Sequence, residues 1–108
     1  MRLVDRKTFL SMPKGTVFMK KSRVYFGLDI PCVLEWTSEN DYGYTQLNGF
    51  MGSDDFLDDL IAIEKGAEIE MRLAEERDGM YDREEQYYIL LKSEIQEMID
   101  ILTKAIRL

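Results

Sequence analysis

Histidine is absent from the 108 residues, and cysteine occurs once. The first absence removes the commonest general base, the commonest metal ligand and the side chain that titrates near neutrality. The two together exclude a zinc centre of the usual ligand sets and any triad with an imidazole base. One thiol also excludes an internal disulfide. Cys32 sits in Pro31-Cys32-Val33-Leu34, the setting of a buried small hydrophobe and not of a nucleophile. Long apolar runs are lacking too. Even the longest, Tyr87 to Leu91, is far too short to cross a membrane. The opening residues MRLVDRKTFL lack the apolar stretch of a secretory signal. A cytoplasmic protein is expected. Neither a P-loop nor a GxGxxG pattern occurs, and turn chemistry accounts for Pro13-Lys14-Gly15-Thr16.

What is present points to one domain, residues 1–108, with no repeat, low-complexity tract or interior linker. Hydrophobic residues make up 45%, and a chain of this length buries roughly two thirds of its unfolded surface. The net charge is −7, unevenly spread. Residues 1–23 hold seven basic side chains (Arg2, Arg6, Lys7, Lys14, Lys20, Lys21, Arg23) against Asp5 alone; the remainder holds seven bases and twenty acids. Three readings fit: a solvated surface, a basic patch facing an anionic ligand, or the basic end of one subunit meeting the acidic end of another. The acidic majority argues against double-stranded nucleic acid as a partner.

Periodicity predicts a helix from Asp5 to Met12, capped by Asp5 and ended by the Pro13-Lys14-Gly15 turn. From Thr16 the period becomes two. Val17 and Met19 form one set, Val24 to Ile30 a second after a Lys21-Ser22 turn, and Cys32, Leu34 and Trp36 a third. Ser38 to Asp41 is a turn, and Tyr42 to Asn48 returns as a fourth strand. Ser53 is expected to cap a helix with Asp54 and Asp55 in its first turn, closed by Lys65-Gly66. Two strands then follow. One carries Ile69, Met71 and Leu73, the other Tyr87, Ile89 and Leu91. ERDGMYDREEQ (76–86) would join them as a hairpin loop turning at Asp78-Gly79. Ser93, with Gln96 three residues on, would open the last helix through a capping box. Its wide apolar stripe suits either the chain's own sheet or a second subunit. The fold expected is α+β: an antiparallel sheet of five to six strands with helices from Ser53 and Ser93 packed on one face.

Asp54, Asp55, Asp58 and Asp59 invite a metal reading, but the central glycine of a calcium loop is missing. A solvated helix N-terminus accounts for them better. No metal and no cofactor are expected. The aromatic residues offer more. Twelve are present, six of them tyrosines. Tyrosine beside arginine suits a planar anionic ligand, the ring stacking on a base and the guanidinium taking a phosphate. Arg77, Tyr81, Arg83 and Tyr88 supply that chemistry late in the chain, with Asp78 in their midst; Arg23 and Tyr25, beside Lys20 and Lys21, supply it early. The same chemistry describes a protein-binding surface. An acidic inhibitor that mimics nucleic acid and blocks a host defence enzyme, such as a CRISPR nuclease, is therefore an alternative. An enzyme using Asp or Glu with a metal is the weakest reading.

Three stretches carry a resemblance: FLSMPKGTVF (9–18), NDYGYTQL (40–47), and ERDGMYD (76–82) followed by Gln86-Tyr87. They resemble a family of small phage proteins, the Thoeris anti-defence sponge proteins. The resemblance implies a small sheet with two C-terminal helices, a homo-oligomer, and sequestration of a cyclic ADP-ribose-type immune signal without cleavage. The site of action would be the host cytoplasm. Arg77 and Asp78 would contact the ligand or fix the loop that does. The chain departs from the family after the first strand, where KKSRVYFG (20–27) stands in place of a YEPC motif.

Overall fold

A computed structural model describes residues 1–21 and 30–108. The expected strand from Val24, and with it Arg23 and Tyr25, lies outside the described residues, although Ile30 lies within them. The elements are β1 (Arg2–Asp5), α1 (Arg6–Phe9), β2 (Val17–Lys20), β3 (Cys32–Thr37), β4 (Tyr42–Met51), α2 (Phe56–Glu64), β5 (Arg72–Arg77), β6 (Gln86–Ile89) and α3 (Lys92–Ile106). The fold is α+β. Six strands form one open antiparallel sheet in the order β1-β6-β2-β3-β4-β5.

Alternation sends Val4, Phe18, Cys32, Leu34, Tyr42, Tyr44, Tyr87 and Ile89 into a common core, with Phe9 of α1 set against them. The register matches this. Phe18 lies opposite both Ile89 and Cys32, Val4 opposite Tyr87, and Leu34 opposite Tyr44. α1 is a single turn held by its cap, with Asp5 Oδ1 accepting from the Thr8 N–H at 2.9 Å. That cap aims Phe9 at the sheet, where its ring stacks on Tyr87 at 3.8 Å and meets Phe18 and Tyr42 edge-on. Gly15 follows at φ 94°, a left-handed turn suited to glycine.

Several local expectations are corrected. The phase of β2 is the reverse of the one expected: Phe18 is sealed in the core, and Met19 is buried with the other side of the sheet. Trp36 leaves the set of Cys32 and Leu34 because the pairing of β3 with β4 slips between Leu34 and Trp36. It pairs instead with Gly43, where an added Cβ would stand 1.9 Å from the indole Nε1. Glycine there lets the ring lie on the neighbouring strand. α2 starts at Phe56, not after Ser53, whose N–H and hydroxyl donate to Asp59 Oδ2 at 2.9 and 3.0 Å. α3 is capped earlier than expected, by Glu94 accepting from the Leu91 N–H at 2.8 Å. β1 is an element that periodicity does not predict.

The main correction concerns the pairing of the last two strands. β5 and β6 are not a hairpin. β5 is an edge strand on β4, whereas β6 is inserted between β1 and β2. Residues 78–85 therefore cross the end of the sheet. α2 and α3 bury none of their residues. Among the described residues no helix is long and apolar enough to cross a membrane.

Candidate functional site

The crossing segment begins at Asp78, whose side chain is fully buried. Its N–H donates to the Tyr42 carbonyl at 3.0 Å, which ends β5 against β4. Its carboxylate receives Arg6 Nη1 at 3.3 Å and Lys20 Nζ at 3.2 Å. Arg6 is itself buried. The guanidinium also donates to Tyr87 Oη at 2.9 Å and to the Asn40 carbonyl at 2.7 Å. Glu85 closes the far end of the loop by accepting from Tyr42 Oη at 2.9 Å and from Tyr87 Oη, with Arg6 Nη1 3.5 Å away. One arginine thus ties α1, the 38–41 turn, the loop and β6 together. Lys20 also lies over the rings of Tyr44 and Tyr42, at 5.1 and 5.7 Å.

Burial of these charges is compensated by their partners, as it must be. Desolvation works to lower the Lys20 pKa, but Glu85, Tyr44 and Asp78 outweigh it, and the ammonium titrates above its ordinary value. Burial pushes the Tyr42 and Tyr87 hydroxyls far up, reinforced by Tyr87 and Glu85 at Tyr42 and by Glu85 at Tyr87, where Tyr42 and Arg6 work the other way; both remain donors at neutral pH. Among the described residues no buried side-chain oxygen or nitrogen lacks a hydrogen-bond partner.

A second layer lies outside this one. Asp41 is buried, and its Oδ1 accepts from the N–H groups of Tyr42 at 2.9 Å and Gly79 at 3.0 Å. Its Oδ2 accepts from Arg77 Nε, and Arg77 Nη2 in turn donates to Tyr81 Oη. Desolvation works to raise the Asp41 pKa, but the hydrogen bonds from Arg77, Gly79 and Tyr42 prevail and hold it below the usual carboxylate value. Gly79 and Tyr81 both have positive φ, 65° and 53°. For tyrosine that conformation costs about 1 kcal/mol or more, and the Arg77 clasp holds it there.

The two layers frame a cleft of about 460 Å³, lined by Arg6, Lys7, Leu10, Glu39, Asn40, Tyr81 and Arg83. This volume falls among small-molecule pockets. Three walls meet there: α1, the 38–41 turn and the crossing loop. Tyr81 is half exposed. Lys7, Glu39 and Arg83 are exposed and make no ion pair among the described residues. Their neighbours Arg6, Asp41, Arg77 and Asp78 are all paired. The arrangement separates a locked frame from a small set of charges still able to meet a solute.

Of the residues singled out in the sequence, Tyr81 and Arg83 line this cleft. Arg77 braces Tyr81, and Asp78 lies beneath as part of the frame. Tyr88 pairs with Leu3 and Met19 and so faces the other side of the sheet from Tyr87. It does not join the group. Arg6, Lys7, Glu39 and Asn40 are site residues that sequence reasoning missed. The basic composition of residues 1–23 was the signal for the first two; nothing local marked Glu39. Among the described residues no three His, Cys, Asp or Glu side chains gather as a metal site. No protein-family model, curated protein or solved structure matches this chain.

Proposed function

We propose that this protein binds and sequesters a small nucleotide-derived signal, of the cyclic ADP-ribose or cyclic oligonucleotide type, and releases it unchanged. In this reading it is a phage-encoded anti-defence protein acting in the host cytoplasm as a homo-oligomer. The resemblance of the three stretches supports the biological role. The cleft supports the chemistry. Its carrying observation is that Lys7 and Arg83, two cations without an ion pair among the described residues, line one cleft with the half-exposed ring of Tyr81. Cations placed this way take phosphate oxygens, and the ring offers a face to a base.

The use of the acids supports binding without turnover. Acid–base cleavage of a glycosidic or phosphate ester bond calls for two titrating groups flanking that bond. Among the described residues, Glu39 is the single acid in the cleft lining. Asp41, Asp78 and Glu85 are held by arginine, lysine, tyrosine or backbone donors.

The test is thermal stabilisation by a panel of cyclic ADP-ribose isomers and cyclic di- and trinucleotides, followed by chromatography of the released ligand. At least one compound should raise the melting temperature of the wild type and be recovered intact, with the rise lost in Arg83→Ala. No stabilisation by any compound, or recovery of a cleaved product, contradicts the reading.

A further inference from the structure

Glu39 is the one described lining side chain whose charge opposes the binding of an anion. It is exposed and makes no ion pair among the described residues. Its backbone is nevertheless fixed. The Ser38 N–H donates to the Asp41 carbonyl at 2.9 Å, and Arg6 Nη2 donates to the Asn40 carbonyl at 2.7 Å. A carboxylate carried into a cleft beside Lys7 and Arg83 by a backbone held on either side disfavours a bare polyphosphate. It favours a ligand that brings hydroxyl donors along with its phosphate, because a carboxylate can accept from both hydroxyls of a vicinal diol.

We infer that Glu39 selects ribose phosphates over phosphate alone, its carboxylate accepting from the ribose diol while Lys7 and Arg83 hold the phosphate. This rests on the cleft reading above and adds the part of the ligand that the acid recognises. No bond is made or broken. A hydrogen bond to a charged group discriminates by about tenfold or more when its partner is removed.

The experiment is calorimetric titration of wild type and Glu39→Ala with ADP, 2′,3′-dideoxy-ADP and pyrophosphate. The side chain is exposed, so the variant should fold as the wild type does. The wild type should prefer ADP to its dideoxy counterpart by about tenfold. Glu39→Ala should bring the two within about threefold and bind pyrophosphate several-fold more tightly than the wild type. Equal wild-type affinity for ADP and dideoxy-ADP, or an unchanged preference in Glu39→Ala, overturns the role of Glu39 and leaves the cleft standing. Binding of the cyclic panel with none of these three probes does the same. If the wild type binds neither set, the cleft reading and the role of Glu39 fall together.

Discussion

Arg6 and Asp78 lie 72 positions apart in sequence and meet as a nearly solvent-free ion pair. Removing one member of such a pair strands the other, and that loss outweighs what the pair itself contributes. Asp78→Asn keeps the shape but leaves Arg6 and Lys20 facing a neutral amide. It should destabilise the fold by about 3–5 kcal/mol in urea unfolding. A loss below about 1 kcal/mol would mean that the ion pair does not hold the loop. Arg77 is a different case, since its side chain is 60% exposed. Its role is to position Tyr81, so its removal should cost ligand affinity more than stability. The sequence marked Arg77 and Asp78 as a place of interest from composition and turn chemistry. It could not show which of them would be buried, because that depends on Arg6 and Lys20, which belong to other elements.

Asp41 and the first residues of the loop form a clasp between the 38–41 turn and the end of β5. Its strength depends on pH. The Asp41 pKa is lowered from an ordinary 3.8, so the native state holds the carboxylate ionised more firmly than the unfolded chain does. The stabilisation is complete above the unfolded value and is lost as pH falls through the folded one. Wild type should therefore melt above Asp41→Asn at pH 5 to 7, with the gap closing below pH of about 3. A gap independent of pH would show that Asp41 acts by shape and not by charge.

The same level shows what local signals can reveal. The Asp5 cap, the turns at Gly15 and Gly66, and β4 were legible because each rests on neighbours in sequence. The false hairpin arose from the same kind of signal. Asp78-Gly79 does turn the chain, but the partner of β6 is decided by Val4, Phe18 and Phe9, which pack on Tyr87 and Ile89 from the far end of the chain. The phase of Trp36 was hidden for a related reason. A bulge shifts a strand by one residue without altering its composition.

Across the whole molecule, α2 and α3 leave much apolar surface exposed, although Met98, Ile101 and Leu102 of α3 share an apolar cleft with Pro31 and with Leu47 of β4. The radius of gyration is 16.2 Å, against about 13 Å for a compact domain of this size. Leu57 on α2 and Ile101, Leu102 and Ile106 on α3 are 72%, 60%, 63% and 84% exposed. An apolar surface of this kind commonly marks an interface. A second copy of the chain is the occupant expected here, as the wide stripe of α3 and the resemblance both suggest. Light scattering should give a mass above one chain, and Leu102→Glu with Ile106→Glu should reduce it to one chain with the circular dichroism spectrum unchanged. A wild-type monomer at tens of micromolar would contradict this.

The cleft remains the centre of the account, and its charges are the part most directly open to test. Titrate the wild type and a Lys7→Ala, Arg83→Ala double variant with the cyclic nucleotide that stabilises the protein best. Deleting both charge-assisted phosphate bonds at once should weaken binding by about a hundredfold, with the unfolding midpoint of the free protein unchanged. Equal affinity in the two proteins would place the ligand elsewhere and contradict the account.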